Sequence, residues 1–237
     1  MEMNFLFDIV FPKRCVGCKA FGTYLCSNCM SHIEEYQQFV CPVCLKESET
    51  GETHLSCKTQ LEIDGLASGV VYKGVVKRLL NRVAHKPYLS YLSVIVGTIF
   101  SEMISQNELF MGTLPQQPIV MVIPLSRQKL KIRGYNQSEM LARSIAKDFN
   151  LQIITKSIKR TKDTKPQSSL DKSQKFENVL NSFQIDTRYA HSIKGKTVLL
   201  IDDFASSCAT LRECAKVLKQ SGARKVYGVV FAYAKQS

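Results

Sequence analysis

Two sets of closely spaced metal-binding residues lie within residues 15–57. The first set reads C-x2-C-x7-C-x2-C and consists of Cys15, Cys18, Cys26 and Cys29. The second joins C-x2-C to H-x2-C and consists of Cys41, Cys44, His54 and Cys57. Each short pair can direct two donor atoms at one ion, and two pairs complete the tetrahedral ligand set that zinc prefers. The spacing predicts two structural zinc ions, with Gly17 and Gly22 supplying the sharp turns.

The alternative for these residues is a set of reduced, buried cysteines without metal. Four short pairs within 43 residues make that alternative weak. A catalytic zinc is also disfavoured, because both sets are filled by protein ligands. A segment of about 60 residues with so few large apolar side chains needs the metal in order to fold.

The composition of the 237 residues is that of a globular protein, with 45% hydrophobic and 22% charged residues. These values exclude wholesale disorder and collagen-like repeats, and no apolar run reaches the roughly 20 residues of a membrane span. The apolar stretch Met1–Phe11 carries Glu2 and Asp8 and precedes its basic residues, which is the reverse of a secretory signal. We therefore expect a cytoplasmic protein, in which clustered cysteines indicate metal rather than disulfides.

Charge and cysteine are unevenly distributed along the chain. The net charge is +12, made up of −2 over residues 1–60 and +14 over residues 61–237, and seven of the nine cysteines precede residue 58. Two composition regimes predict two domains, a zinc-binding module over residues 1–62 and a second domain over residues 63–237.

The second domain alternates strand and helix patterns. Apolar or β-rich runs predict strands over residues 66–72, 119–124, 151–158, 197–201 and 226–233. Helical spacing predicts helices over 75–84, 88–104, 136–149 and 210–220, the third starting at Asn136 with Glu139 as its capping-box partner. Residues 105–117 and 125–135 are predicted to be loops. The alternation indicates an α/β domain with a mainly parallel sheet.

The strand that ends in Asp202 and Asp203 is the most informative segment. It delivers two carboxylates to the carboxyl edge of the sheet, where open α/β sheets bind ligands. The loop of small residues that follows enters a helix, whose N-terminal N–H groups favour an anion. Carboxylates beside an anion site suit a ribose phosphate. The alternative from the residues alone is an ordinary strand–helix turn with a solvated Asp pair.

This segment resembles the phosphoribosyl pyrophosphate (PRPP) motif of type I phosphoribosyltransferases, and the whole chain is similar to the ComF/GntX competence-protein family. The supporting residues, in chain order, are the cysteine pairs, Pro124-Leu125, Arg133-Gly134-Tyr135-Asn136-Gln137, Pro166-Gln167 with Leu170, Asn178 with Phe183, and Ile201-Asp202-Asp203 with Ala209-Thr210. The resemblance implies a type I phosphoribosyltransferase-like α/β fold, with a mainly parallel sheet, behind a small double zinc-ribbon-like module.

The resemblance also implies roles for individual residues. Asp202 and Asp203 would bind ribose and Mg²⁺. The 5′-phosphate would lie on Ser206, Ser207, Cys208, Ala209 and Thr210. A pyrophosphate-facing loop would present Arg133, Asn136 and Gln137. The alternatives are a simple helix cap for Asn136 and a solvated loop charge for Arg133.

The motif departs from the usual Thr-Thr-Gly at Ser206-Ser207-Cys208. The serines keep the hydroxyl groups, whereas Cys208 replaces a glycine that permits a positive φ or a close approach of the backbone. Weakened PRPP binding, a tolerated small side chain and a reactive thiol at a helix N-terminus are the three interpretations.

Residues 127–175 hold 13 basic and 4 acidic residues, and residues 159–172 are predicted to be a mobile basic loop. Nucleic-acid binding is assigned to Lys156, Lys159, Arg160, Lys162, Lys165, Lys172 and Lys175, with a solvated basic face as the alternative.

Three functions follow from the resemblance and the charge. The first is a PRPP-site protein that acts with single-stranded DNA in natural transformation, with a competence helicase as a further partner. The second is an active phosphoribosyltransferase on an unknown acceptor; no general base or acceptor pocket is identified, so catalysis is left open. The third is a binding module with a degenerate site.

Overall fold

A five-stranded parallel sheet lies at the centre of the computed structural model, which describes residues 12–85, 90–162 and 172–234. The strands in chain order are β1 Gly65–Val71, β2 Ile119–Val122, β3 Ile153–Ile154, β4 Ile158–Arg160, β5 Phe183–Ile185, β6 Thr197–Ala205 and β7 Lys225–Tyr233. The sheet has the order β1-β7-β6-β2-β3, and β4 and β5 form a separate antiparallel pair. The expected α/β class with a mainly parallel sheet is confirmed.

Helices cover both faces of the sheet, as its apolar strands require. In chain order they are α1 Ser27–Met30, α2 Gly74–His85, α3 Ser90–Ile104, α4 Glu108–Thr113, α5 Arg127–Arg133, α6 Gln137–Asp148, α7 Lys172–Val179, α8 Ala190–Ile193 and α9 Ala209–Gln220. Helices α2, α3 and α6 pack in one apolar cluster, and α9 packs in the other. Adjacent residues of β6 alternate between the two, with Leu199 in the first and Leu200 in the second.

The strand order creates a crevice between β2 and β6. The chain leaves β2 through α6 toward β3 at one edge, whereas it leaves β6 through α9 toward β7 in the opposite direction. Crossovers that diverge in this way leave an opening at the carboxyl ends of the two strands, where α/β proteins bind ligands.

The N-terminal cysteine-rich segment packs against β1, the edge strand. Val71 N–H donates to Glu34 O and Leu66 N–H donates to Gly51 O, both at 2.9 Å. These bonds cover an otherwise open sheet edge. Gly51 is required there because its φ is +82° and a Cβ would lie 2.7 Å from Leu66 O.

Residues 105–117 are not a loop, contrary to the prediction. They form α4 and a 3₁₀ turn, Leu114–Gln116. The Asn107 side chain accepts a hydrogen bond from Phe110 N–H, which starts the helix, and Leu109 and Phe110 are buried. The predicted loop was wrong because the polar and glycine residues mark the ends and exposed face of a short helix.

Residues 125–135 were also predicted to be a loop, and most of them form α5. The Ser126 hydroxyl oxygen accepts from Lys129 N–H, and Gly134 ends the helix at a φ of 77°. Leu130 and Ile132 are exposed, so the helix lacks the buried stripe that reveals most helices in a sequence. At the next helix, Asn136 is the cap, but Glu139 pairs with Arg143 at 2.7 Å and does not complete a capping box.

The predicted strand over residues 151–158 is interrupted. Only Ile153–Ile154 joins the sheet, and Ile158–Arg160 pairs with β5 instead. The predicted basic loop over 159–172 begins inside β4 and reaches the start of α7, with residues 163–171 outside the described ranges. Within the part of the chain that is described, no helix has the length and apolar character needed to cross a membrane.

Candidate functional site

The predicted acidic pair lies at the carboxyl end of β6, inside the crevice. Asp202 Oδ1 accepts hydrogen bonds from Ser138 Oγ at 2.8 Å and from Asp203 N–H at 3.0 Å. Burial and the neighbouring Asp203 charge raise the pKa of Asp202 to about 8. Burial also raises the pKa of Asp203, although the Arg133 guanidinium opposes that rise. These carboxyl groups are half-buried and repel each other when both are ionised, so they do not behave as a solvated pair.

The five residues predicted to hold phosphate form one small cavity with Asp202. The cavity has a volume of about 60 Å³, roughly twice the volume of one water molecule in the liquid. Ser207 and Ala209 are buried in its wall, and α9 begins at Ala209. The size and the helix N-terminus suit a single phosphate group.

Cys208 adopts the left-handed conformation that the sequence assigned to the missing glycine, with φ 58° and ψ 7°. Its side chain is 3% exposed and belongs to the apolar cluster that contains Tyr36 and Tyr233. The sulfur therefore packs in the core beneath the loop. A reactive thiol is disfavoured, because reactive cysteines are partly exposed.

The left-handed backbone of Cys208 predicts a measurable strain. We expect Cys208→Gly to be more stable to urea than Cys208→Ala by about 1 kcal/mol, because both variants lose the thiol and only alanine keeps the Cβ penalty. Equal stabilities of the two variants would show that the backbone at this position is unstrained.

Three cations lie near the acidic pair, Lys129 and Arg133 on α5 and Arg160 on β4. Burial lowers the pKa of Lys129, and the charges of Arg133 and Arg160 lower it further. Arg133 Nη1 donates to Gln137 Oε1 at 3.0 Å, and Gln137 is 2% exposed. The amide Nε2 of Gln137 has no hydrogen-bond partner among the described residues. A buried donor beside converging cations suits an anion larger than a single phosphate.

Asn136 serves as a helix cap in this structure. Its Oδ1 accepts from Ser138 N–H and its Nδ2 donates to Ile123 O at 2.9 Å. Both polar groups of the side chain are thus engaged by the backbone, which favours the cap over direct anion contact.

Three of the seven predicted nucleic-acid residues line one groove. Lys156, Lys159 and Arg160 line a wide groove beside α6, and Lys159 pairs with Asp186 at 2.7 Å. Exposed Lys162 follows β4, and half-buried Lys175 lies on α7. Lys165 and the side chain of Lys172 lie outside what the structure describes.

The sequence did not single out Ser138, Lys129 or Tyr72 as site residues. Ser138 bonds to Asp202, and the charge of Asp203 contributes to the raised pKa of Tyr72, after burial. The Tyr72 ring packs on Phe204 with centroids 4.1 Å apart. In the sequence, Ser138 lies two residues after a helix cap and Tyr72 lies at the end of the first predicted strand. Neither position specifically indicates a functional site.

The four cysteines of the first set converge, with their sulfur atoms all within 4.8 Å of one another. Cys26 N–H donates to Cys15 Sγ at 3.5 Å, a contact that supports a thiolate. A Cβ on Gly17 would lie 2.4 Å from Cys29 Sγ. Gly17 is therefore needed for close approach to a sulfur and not for a turn with positive φ, whereas Gly22 has the expected φ of +94°. These donors fit a tetrahedral zinc ion.

The second set converges in the same way and includes His54. His54 Nε2 lies 2.9 Å from Glu47 O and Nδ1 lies 3.4 Å from Cys44 Sγ. An Nε2–H donated to a carbonyl leaves Nδ1 as the metal donor, the arrangement common in zinc sites.

The geometry of His54 predicts that it holds one ion. We expect His54→Ala to lose about one zinc per chain because the second site drops to three ligands. Exposed His191 lies on α8 and provides the control His191→Ala. Elemental analysis of the purified variants measures both, and an unchanged zinc content in His54→Ala would remove His54 from the ligand set.

Comparison with family models defines the class of both parts of the chain. Residues 6–58 match the double zinc ribbon domain. Residues 133–237 match the phosphoribosyl transferase domain, which includes the acidic pair, the phosphate loop and Arg133. The chain is thus a double zinc ribbon protein with a phosphoribosyl transferase domain.

Three relatives align with most of the chain. The DNA utilization protein YhgH of Escherichia coli O157:H7 is 23% identical over 92% of this chain and 96% of the relative. Competence protein ComFC of Bacillus subtilis (strain 168) is 25% identical over 84% of this chain and 79% of the relative. Competence protein F of Haemophilus influenzae is 22% identical over 94% of this chain and 96% of the relative. The chain is thus similar to competence and DNA utilization proteins over most of its length, in agreement with the resemblance of its motifs to the ComF/GntX family.

Proposed function

We propose that this protein binds PRPP, or a related ribose phosphate, together with Mg²⁺. The observation that carries the proposal is the single cavity that Asp202 shares with residues 206–210. The 5′-phosphate would occupy this cavity at the start of α9. Asp202 and Asp203 would hold the ribose hydroxyls and Mg²⁺, a hard cation that prefers carboxylate oxygens.

The raised pKa of Asp202 supports a cation at this position. Two half-buried carboxyl groups next to each other repel when both are ionised, and a divalent ion relieves that repulsion. The pyrophosphate would face Arg133, with Lys129 and Arg160 beside it and Gln137 Nε2 as a donor. Asn136 holds the start of α6 in place.

The same features argue against a degenerate site. The serines keep their place in the cavity wall, and the Cys208 sulfur is directed into the core.

The relatives support a role in competence for natural transformation, and two of the three relatives are named competence proteins. We propose that the chain acts with single-stranded DNA in the cytoplasm, with a competence helicase as a further partner. The net charge of +12 supports an anionic partner.

For the N-terminal part we propose a module over residues 1–62 that holds two structural zinc ions. The convergence of both ligand sets supports two ions. The module also packs into the core of residues 63–237, since Cys15 and Cys29 share an apolar cluster with Val75. Zinc would therefore stabilise the sheet edge as well as the ribbons.

Calorimetric titration of the zinc-loaded protein with PRPP, with and without Mg²⁺, tests the proposed ligand. We expect saturable binding that requires Mg²⁺, and weaker binding of ribose 5-phosphate because it lacks the pyrophosphate. Failure of PRPP to bind in the presence of Mg²⁺ would refute the proposed function.

A further inference from the structure

A wide groove runs beside the candidate ribose phosphate site, along the exposed side of α6. We call it the α6 groove. It is lined by the exposed stripe of α6 from Glu139 to Asp148, by α3, by α5 and by residues 155–160. On α3, Gly97 approaches α6 so closely that a Cβ would lie 2.8 Å from Ser144 Oγ.

The α6 groove is larger than a site for one small molecule. Its volume is about 1340 Å³, whereas pockets for small ligands span about 300–1,000 Å³. The stripe from Glu139 to Asp148 is about 14 Å long at 1.5 Å rise per residue. These dimensions suit a short length of an extended polymer.

The charge of the α6 groove is positive. Six basic residues line it against two acidic residues, Glu139 and Asp148, and Glu139 is already paired with Arg143. The basic residues are Arg127, Arg143, Lys147, Lys156, Lys159 and Arg160. Within the described ranges, no ion pair is seen for Arg127, Lys147 or Lys156. These three cations are placed to meet an anionic ligand.

Apolar side chains lie between the cations. Val94 on α3 is 64% exposed and Leu130 on α5 is 44% exposed, and both line the α6 groove. An acidic peptide would leave these surfaces uncovered, whereas the faces of unstacked bases would cover them while the phosphates met the lysines.

One end of the α6 groove lies at the candidate ribose phosphate site. Tyr135 and Asn136 line the groove, and they follow Arg133 at the end of α5 by two and three residues. The charge of Asp203 reaches Tyr135, where it adds to the effect of burial in raising the pKa of that phenol. A polymer in the groove would therefore end beside the acidic pair.

We propose that the α6 groove is the path of a single nucleic-acid strand, which leads to the ribose phosphate site. The proposal rests on the proposed action with single-stranded DNA, and it locates that action on α3, α5 and α6. It adds Arg127, Arg143 and Lys147 to the nucleic-acid contacts and removes Lys162 and Lys175, which do not line the groove.

The test compares two double variants of the full-length, zinc-loaded protein with equal loss of charge. Lys147→Gln with Lys156→Gln alters the α6 groove. Lys194→Gln with Lys196→Gln alters exposed lysines near the amino end of β6, the opposite edge of the sheet. Binding of a fluorescent single-stranded oligodeoxynucleotide is followed by anisotropy over a range of salt concentrations.

We expect the groove variant to bind the strand about 10-fold more weakly, with a log–log salt dependence shallower by about 1.4, which is about 0.7 for each lost phosphate contact. The control variant should match the wild type. Equal effects in the two variants, or tighter binding of polyglutamate than of the strand, would overturn the groove assignment while DNA binding stood. A wild type that binds no strand at low salt would instead refute the proposed function with DNA.

Discussion

Asp202→Asn combined with Asp203→Asn should weaken PRPP binding in the presence of Mg²⁺ by more than about 100-fold. Mutation of a residue that only hydrogen-bonds to a metal ligand already lowers metal affinity by about 10- to 100-fold, and the double change removes both proposed ligands themselves. Titration calorimetry of the variant beside the wild type measures the loss.

A matched control removes the same charge elsewhere. Exposed Glu102 on α3 and exposed Glu108 on α4 provide Glu102→Gln with Glu108→Gln. This control should bind PRPP as tightly as the wild type. A double Asp variant with full affinity would place the ligand away from the acidic pair.

The loss of binding should not be a loss of fold. The pKa of Asp202 is raised to about 8, above the value of about 3.9 in an unfolded chain. Protonation of Asp202 therefore stabilises the folded state, and this contribution to the free energy of unfolding is lost as the pH rises from about 4 through 8. Asparagine stays neutral at every pH. Without Mg²⁺, the unfolding free energy of Asp202→Asn should therefore be higher than that of the wild type at pH 8, and the difference between the two proteins should be smaller at pH 5. Urea denaturation at the two pH values measures the difference.

Gly17→Ala should remove one zinc ion per chain and lower the melting temperature of the protein. Its Cβ would lie 2.4 Å from Cys29 Sγ and 3.3 Å from a methyl group of Val75. Either Cys29 Sγ or Val75, which lies on α2, must therefore move to make room for the added methyl group. Because the first ligand set packs in the same cluster as Val75, the disturbance reaches the sheet domain.

Gly112→Ala provides the control for this change. Gly112 lies in α4, and an added Cβ would meet no atom within 4 Å. This variant should keep both ions and gain slightly in stability, since alanine favours a helix over glycine. Elemental analysis and thermal unfolding measure both variants, and a Gly17→Ala protein with two ions would show that the sulfur cluster tolerates a methyl group.

Most of the sheet could be predicted because its strands are long apolar runs flanked by helical spacing. On that signal strands were predicted over residues 119–124 and 197–201, which correspond to β2 and to the first part of β6. Helices α4 and α5 were missed because they are short and carry polar or exposed residues, so their stability depends on caps such as Asn107 and Ser126. The interruption at Ile154 was missed because an apolar run does not reveal which partner strand each half will join.

The site was predicted in part for the same reason. Asp202, Asp203 and residues 206–210 are adjacent in the sequence, and they share one cavity. The contributions of Ser138, Lys129 and Tyr72 come from other elements, and no local pattern marks them. The basic stretch was read as one binding region, but its members belong to α5, α6, β4 and α7, and Lys162 and Lys175 do not line the α6 groove.

The amino-acid sequence by itself determined the two ligand sets, the α/β alternation and the segment that joins an acidic pair to a phosphate loop. These features are local, since each depends on residues within one turn, strand or pair of knuckles. The tertiary structure decided that Ser138 supports Asp202, that the Cys208 sulfur faces the core and that α3, α5 and α6 enclose a groove. Those outcomes depend on strand order and on the diverging crossovers after β2 and β6, which bring distant residues together.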